Sequence, residues 1–312
     1  MTLDTFTGTT NTETLSTDGN SCVLGLRNGR ILRLTNGLNA SYSSDGGLNW
    51  EGGALMNGSE QVTGGRNYSI CRLKSGDIAI LYNREEQLTG RPQNYASYFR
   101  KSSDEGDTWS SESRIEFVEG IAWAWRDTMT VMPSGRIVIP FRAIHPSIYT
   151  RPTLLPGYAN LDGKRVAAEG HGHAPEMDIG FIMYSDDEGE TWTQGKGKIY
   201  IWHLDGFGGM LPCDEPSIAP TSDGQLLMFM RTTLGVIYQS WSEDEGETWT
   251  MPEPTQLSNS YSPARLRAIP DTGDLVCVWN QVSAREIELG GRRCRLSSAV
   301  SKDNGKTWEY FK

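Results

Sequence analysis

An eight-residue motif, Ser-x-Asp-x-Gly-x-Thr-Trp, constrains the fold of this 312-residue chain more than any other feature, because it recurs five times. Successive motif aspartates are 59, 83, 57 and 59 residues apart, so the third unit carries an insertion of about 25 residues. The motif suits a tight turn, in which Asp accepts backbone N–H bonds, Gly adopts positive φ and Trp packs between neighbours. We therefore predict a repeat protein in which the motif aspartates are structural. The copies begin at Ser43 (with Asn49 in place of Thr), Ser102, Ser185, Ser242 and Ser301.

A second pattern precedes each motif: an apolar strand, a glycine-containing turn and another apolar strand. The segments around Gly76 and Gly135 show it most clearly, since Ile78–Leu81 and Ile137–Ile139 are rich in strand formers. Two hairpins per unit make a four-stranded antiparallel sheet, and radial repetition of such sheets makes an all-β β-propeller. We predict a single domain over residues 1–312. Its units span about 18–60, 64–118, 121–200, 212–257 and 259–312, with the insertion at about 143–177.

Composition supports this interpretation and excludes some functions. The 35 glycines and 14 prolines suit many turns, and no apolar run approaches the roughly 20 residues of a membrane helix. A net charge of −10 disfavours a nucleic-acid surface. The five cysteines lack metal-ligand or disulfide-framework spacing, which favours buried free thiols. No signal peptide is recognisable, so we expect a soluble protein that is either cytoplasmic or, if exported, secreted or periplasmic.

Aligning the units on their turn glycines places polar residues at equivalent strand ends. Strand ends of this kind meet at the mouth of a propeller's central channel, where a binding site is built. The residues seven after each glycine are Asn36, Asn83, Arg142, Arg231 and Asn280, and those about ten before it are Gly19, Arg66, Trp125, Asp214 and Ser262. We take Arg142 and Trp125 as candidate substrate-binding residues; the tryptophan either stacks on a sugar ring or fills space between blades.

With these motifs the chain resembles the sialidase (neuraminidase) superfamily, six-bladed propellers in which the repeated motif is called the Asp box. The resemblance covers almost the whole chain. It implies that three arginines hold the substrate carboxylate, a role that suits the planar, permanently charged guanidinium. The matching positions are Arg66 ten residues before Gly76, Arg231 at the end of a strand, and Arg293 on the strand leading into the fifth box. The alternative for each is a salt bridge at a blade edge.

The resemblance also implies catalytic residues. Glu215, sixteen residues before Arg231, matches the glutamate that acts as base toward a tyrosine nucleophile, although it also suits a strand-end salt bridge. The family's acid/base aspartate has no match at its usual spacing, so Glu85, with its neighbour Glu86, and Asp127 are the candidates. The nucleophile would fall beyond Lys312.

Five hairpin-and-box units are visible where the family has six blades. Either a last blade is missing or the ring closes with five. We favour the first, because the three matching arginines fall in the second, fourth and fifth units, and the tyrosine nucleophile would then fall in a sixth. An open ring would expose apolar blade faces and strand edges, weaken activity and promote self-association.

The insertion contains His145, His171 and His173, three of the four histidines. A metal site formed with nearby Glu176 and Asp178 is one interpretation. A polar loop that acts as a lid or substrate-selecting wall is favoured, because an extended run supplies only two ligands on one face.

Three functions remain open at this stage. The first is an exo-acting glycosidase that releases sialic acid or a related acidic sugar. The second is a lyase or hydrolase of another anionic polysaccharide, in which a residue of the insertion such as His171 or His173 acts as base. The third is a non-catalytic propeller that binds carbohydrate or protein. We predict no cofactor and no metal; the expected partner is an acidic glycan, with no nucleic acid and no membrane span, and the oligomeric state is open.

Overall fold

A computed structural model describes residues 22–35, 38–55, 68–85, 95–116, 121–125, 128–144, 155–161, 164–173, 178–202, 210–211, 213–293 and 295–312. Within these residues the chain is built from antiparallel strands with one short helix. Strands that follow one another along the chain pair with one another, as consecutive hairpins require. The predicted all-β propeller, with five blades visible, is confirmed.

The first two blades are regular four-stranded sheets. Their innermost hairpins turn at Gly29 and Gly76, both at positive φ, and their outer hairpins are closed by Asp boxes. The first blade comprises β1 Cys22–Gly25, β2 Ile31–Thr35, β3 Asn39–Ser43 and β4 Glu51–Leu55, and the second β5 Ser69–Arg72, β6 Ile78–Glu85, β7 Tyr95–Ser102 and β8 Ser113–Ile115.

The third blade departs from this pattern in two ways. Its innermost strand is split into two pieces, which both pair with the same second strand, and the insertion forms a hairpin of its own. The insertion lies between Ile144 and Asp178. The blade comprises β9 Ile121–Ala124, β10 Thr130–Val131, β11 Ile137–Ile144, β14 Asp178–Ser185 and β15 Thr193–Gln194, and the insertion hairpin comprises β12 Leu155–Leu161 and β13 Lys164–His173.

A short hairpin links the third blade to the fourth, a regular four-stranded sheet. The two inner strands of the fourth blade are almost wholly buried, whereas its outermost strand is mostly exposed. The linking hairpin is β16 Ile201–Trp202 and β17 Met210–Leu211, and the blade comprises β18 Asp214–Pro220, β19 Leu226–Arg231, β20 Val236–Ser242 and β21 Glu253–Ser258.

The fifth blade consists of three strands and a fourth, outer segment. Its outer edge is completed by residues 309–312, which exchange backbone hydrogen bonds with Val300 and Ser298. A capped helix precedes the last strand: Ser283 and Glu286 form a reciprocal capping box. The blade comprises β22 Arg265–Ala268, β23 Leu275–Asn280, α1 Ala284–Glu288 and β24 Leu296–Ser301.

The Asp boxes have the structural role predicted for them. In the third box, Asp187 Oδ1 accepts from Ser185 Oγ and from the Thr191 amide, each at 2.8 Å, and Gly189 has φ +89°. Thr191 Oγ1 also donates to Asp187 Oδ2 at 2.6 Å; this hydrogen bond, together with those from the Thr191 amide and Ser185, favours the carboxylate and lowers the pKa of Asp187 to about 2. The box tryptophan packs across the blade boundary, with the ring of Trp192 5.2 Å from that of Phe99.

In the second to fifth boxes, the residue after the box aspartate joins its blade to the preceding one, a contact that the sequence did not suggest. Glu188 Oε1 accepts from the backbone N–H of Ser75 in the glycine turn of the second blade, and Asn304 Oδ1 accepts from that of Ser222 in the fourth. Glu105 and Glu245 make the corresponding contacts with the turns of the first and third blades. The boxes therefore lock successive blades together on one face of the propeller.

Buried apolar side chains fill each interface between successive blades. Representative members of the four clusters are Leu32 and Ile80, Leu81 and Phe141, Val138 and Ile218, and Leu227 and Leu275. Among the described residues, no cluster contains members of both the first and the fifth blade. The glycine turns and Asp boxes lie at one end of every sheet, so the strand ends at the opposite end are available to build a site.

Candidate functional site

Four buried charged side chains meet at the face opposite the Asp boxes. Asp214 begins β18 and lies directly across from Arg231 at the end of β19, while Arg142 comes from the end of β11 in the third blade. Arg142 Nη1 is 2.7 Å from Asp214 Oδ1, and Arg231 Nη1 is 3.6 Å from Asp214 Oδ2. Neither contact of Asp214 is aligned as a hydrogen bond, so the carboxylate holds the two arginines by charge.

Glu215 also faces Arg231, although neighbouring residues of a strand normally point to opposite faces. A register shift between Asp214 and Ser217 and a φ of +44° at Glu215 break the alternation. Arg231 Nη1 consequently donates to Glu215 Oε2 at 2.7 Å. The irregular strand start therefore places two consecutive carboxylates on one guanidinium.

The remaining edge of Arg231 has no protein partner among the described residues. Its Nε and Nη2 are buried and make no hydrogen bond. These two N–H groups lie on the same side of the planar guanidinium, so they can donate together to the two oxygens of a carboxylate. Leaving buried donors unpaired is costly, which makes this edge a candidate anion site.

An aromatic ring covers one face of the same guanidinium. Tyr261 lies in the segment between β21 and β22, and its ring centroid is 3.9 Å from Arg231 Cζ. Tyr261 is itself buried and has φ +54°. The guanidinium of Arg231 thus contacts two carboxylates and an aromatic ring, while its Nε–Nη2 edge makes no hydrogen bond.

Burial sets the charge state of this cluster. Loss of solvent raises the pKa of Glu215, Arg231 opposes the rise, and the nearby Asp214 adds to it. Burial alone lowers the pKa of Arg231, but attraction to Glu215 and Asp214 outweighs it and raises the pKa. Arg231 remains a cation at every physiological pH, whereas Glu215 takes up a proton more readily than an exposed glutamate.

The structure brings together three of the predicted site residues. Arg142, Arg231 and Glu215 meet as described. Trp125 follows β9, whose Trp123 pairs with Arg142, and its backbone carbonyl accepts from Thr128 Oγ1 at 2.9 Å. Asn83 joins the second blade to this region, since its Nδ2 donates to the backbone carbonyl of Ala124 at 2.8 Å.

The placement of Arg293 was wrong. It does not lie on the strand leading into the fifth box, because β24 begins at Leu296, and its side chain is exposed in the segment that follows helix α1. Glu85 is the last residue of β6, but its side chain lies outside the description. Arg66 and Asp127 lie outside the described residues, so their roles stay predictions.

Two residues of the cluster were not selected from the sequence. Asp214 stood in the strand-end alignment, but the neighbouring Glu215 matched the family pattern and took the catalytic assignment. Tyr261 lies outside the regular strands, and its only signal was the polar run Asn259–Ser262 around it.

The insertion hairpin reaches the site from the third blade. Leu161, at the end of β12, packs with Tyr261 and with Val282 and Ile287 of the fifth blade. The backbone N–H of Asn160 donates to the carbonyl of Thr233, two residues after Arg231. The role of the insertion as a wall or lid stays a prediction, and His171 and His173, in β13, have no described side chains.

Metal binding and membrane crossing can both be assessed within the described residues. No group of three or more His, Cys, Asp or Glu side chains there is arranged to hold a metal ion. No helix in that part of the chain has the length and apolar character needed to cross a membrane.

The fold and the buried cluster define a propeller built of Asp-box blades with two arginines and two carboxylates buried together at one face. The model of the BNR repeat-like domain matches residues 90–312, and the chain belongs to this family. The match and the structural neighbours together show a sialidase-like BNR propeller. No curated protein sequence matches the chain.

Similar solved structures support the fold. The Hadza microbial sialidase Hz136 has a TM-score of 0.65 at 17% identity, covering 94% of this chain and 57% of its own. A Dyadobacter fermentans protein of unknown function has a TM-score of 0.64 at 17% identity, covering 93% and 80%. The NanB sialidase of Streptococcus pneumoniae has a TM-score of 0.60 at 14% identity, covering 94% and 60%. This chain thus spans about 60% of the two sialidase chains.

Proposed function

We propose that the protein is an exo-acting glycoside hydrolase that releases terminal sialic acid or a related acidic sugar, with Arg231 at the centre of its carboxylate site. One observation carries the proposal: the buried Arg231 presents two unpaired N–H groups on one edge, in the face where propellers bind their ligands. A carboxylate fills this edge with two charge-assisted hydrogen bonds.

The neighbouring charges prepare the arginine for that role. Asp214 and Glu215 engage Nη1 alone, so they hold the guanidinium without occupying the free edge. Arg142 adds a second buried cation, which lies 2.7 Å from Asp214 and increases the positive charge of the site. Sialidase activity of structural neighbours is consistent with an acidic sugar as ligand.

In the proposed hydrolysis, the bond between the anomeric carbon and the leaving oxygen breaks and water supplies the new hydroxyl. Glu215 is the candidate base that activates the nucleophile. Asp127 or Glu85 is the candidate acid that protonates the leaving oxygen, and its pKa must lie near neutrality for that step. Arg66 is the further candidate for binding the carboxylate, and Trp125 is the candidate for stacking on the sugar.

A second candidate function is carbohydrate binding without catalysis. It is favoured by the ion pair of Glu215 with Arg231, because a carboxylate engaged at 2.7 Å is less available as a base. In that case the cluster would hold an acidic sugar and release it unchanged.

The test compares Arg231→Lys with the wild-type protein on a fluorogenic aryl sialoside. Lysine keeps the charge but loses the fork, so we expect kcat/KM to fall about 10- to 100-fold, the cost of one charge-assisted hydrogen bond. Arg114→Lys, at an exposed pair with Glu116, is the matched control and should leave the rate unchanged.

Three outcomes distinguish the candidates. Hydrolysis by the wild type that is lost only in Arg231→Lys supports the glycosidase. Binding of free N-acetylneuraminic acid without turnover supports the binding protein. Turnover that is equal in both arginine variants contradicts the assignment of the carboxylate to Arg231.

A further inference from the structure

We propose that Tyr261 is a positioning residue: its ring fixes the plane of the Arg231 guanidinium and so presents the Nε–Nη2 edge to an incoming carboxylate. The identity of the carboxylate rests on the proposed function, but the positioning itself can be measured without it.

The backbone of Tyr261 is held in an unusual conformation by its neighbours. Its φ of +54° is uncommon for a bulky residue. Asn259 Oδ1 accepts from the amide and the hydroxyl of Ser262, both at 2.9 Å, and Asn259 Nδ2 donates to the Ser262 carbonyl at 2.8 Å. Asn259 and Ser262 are both fully buried. A strained residue persists only where its surroundings fix it, and here they fix it facing the arginine.

The ring of Tyr261 is confined on the side away from Arg231 as well. It packs in an apolar cluster with Leu161 of the insertion hairpin, Val282 and Ile287. Since these side chains are buried, the ring cannot swing away without opening a cavity. The insertion of the third blade therefore supports Tyr261, which lies between the fourth and fifth blades and contacts the arginine.

These restraints leave Arg231 a single orientation. Glu215 and Asp214 engage Nη1, and Tyr261 stacks on one face at 3.9 Å, a favourable cation–π geometry for a desolvated arginine. Two further buried hydroxyls without hydrogen-bond partners lie on the same two segments, Ser260 Oγ and Thr233 Oγ1. Asn259 N–H joins the two segments by donating to the Gly235 carbonyl at 2.8 Å.

The role of the ring predicts a specific ranking of variants. Tyr261→Phe keeps the stacked ring and should behave as the wild type. Tyr261→Leu removes it and should weaken binding of N-acetylneuraminic acid about tenfold or more. Leu161→Ala removes only the support behind the ring and should weaken binding in the same direction by a smaller factor, of about threefold.

The first measurement is the arginine Nε–H resonance in ¹⁵N-labelled protein, assigned to Arg231 by its loss in Arg231→Lys. In the wild type and Tyr261→Phe we expect a ring-current shift and slow exchange with water; in Tyr261→Leu both should be lost. The exposed Tyr310, whose ring stacks on the Lys302 ammonium, provides the control variant Tyr310→Leu, which should leave this resonance unchanged.

The second measurement is titration with N-acetylneuraminic acid and with its uncharged methyl ester. We expect Tyr261→Leu to lose affinity for the acid and not for the ester. If the wild type binds neither sugar while the resonance behaves as expected, the proposed function fails and the positioning role stands. An unchanged resonance in Tyr261→Leu and Leu161→Ala, or equal affinity of Tyr261→Leu and the wild type for the acid, overturns the positioning role.

Discussion

Two arginine–aspartate pairs of equal length allow the effect of burial to be measured within one molecule. Arg142 Nη1 and Asp214 Oδ1 are 2.7 Å apart at the site, where Asp214 is fully buried. Arg136 Nε and Asp186 Oδ1 are also 2.7 Å apart on the Asp-box face, where the side chain of Asp186 is 58% exposed. Replacing each aspartate by asparagine removes the same charge with almost the same shape.

The expected costs differ several-fold. At 2.7 Å the attraction of two unit charges is about 6 kcal/mol at an effective dielectric constant of about 20, and about 1.5 kcal/mol at that of water. Asp214→Asn leaves the cation of Arg142 buried without this carboxylate, a change that typically costs about 3–5 kcal/mol. Asp186→Asn affects a solvated pair worth about 0–1 kcal/mol, and Arg136 keeps Glu245 and Glu247, each 3.8 Å away.

Thermal unfolding followed by circular dichroism at pH 7 provides the assay. A loss of about 3–5 kcal/mol should lower the Tm of Asp214→Asn by about 6–20 °C, whereas Asp186→Asn should stay within about 3 °C of the wild type. Adding Arg142→Met to Asp214→Asn should recover part of the loss, because it removes the uncompensated buried charge. Equal melting temperatures for the two single variants would refute the assignment of a buried charge cluster.

Three further predictions concern the Asp-box face. The pKa of Asp187 in the folded protein is lowered to about 2. The stabilising effect of its carboxylate is therefore fully present above the pKa of the unfolded state and is lost as the pH falls toward 2. Asp187→Asn should flatten the dependence of Tm on pH between about 4 and 2. Glu188→Ala removes the acceptor of a turn amide in the preceding blade and should cost about 0.5–1.5 kcal/mol in urea unfolding. Gly189 and Gly224 both have φ +89°, but an alanine Cβ at Gly189 would lie 2.1 Å from Phe99 Cε1, whereas the space at Gly224 is open. Gly189→Ala should therefore lower the Tm much further than Gly224→Ala. Similar losses of Tm in the two variants would contradict the packing of Phe99 on Gly189.

The repeating part of the fold was predictable from the sequence because the same local chemistry recurs in each unit. The turn glycines give the hairpin positions, and counting from them gives the strand ends. That count located Arg142 and Arg231, since both lie near the end of the second strand of a blade, seven residues after its turn glycine. Glu215 was found by its resemblance to a family position rather than by the periodicity of its strand.

The same counting failed where the chain leaves the repeat. Arg293 was assigned to a strand by its distance from the fifth Asp box, but helix α1 and the segment after it occupy the space between β23 and β24. Tyr261 could not be found by counting, because its orientation depends on a left-handed backbone conformation that the hydrogen bonds of Asn259 impose. Tertiary contacts, not strand periodicity, determine both positions.

The distribution of irregular backbone separates the structural face of the propeller from the functional one. On the Asp-box face, positive φ recurs at equivalent residues after the box aspartates, including Glu105 and Glu245, so it belongs to the repeat. Glu215 and Tyr261 also have positive φ, but they lie outside the boxes, and both residues contact the guanidinium of Arg231. Backbone strain at positions that do not belong to the repeat requires its own explanation. Departures from the usual backbone conformations concentrate at functional sites. Because two such departures converge on one buried arginine with an unpaired edge, we infer that their conformational cost serves the anion site proposed for this edge.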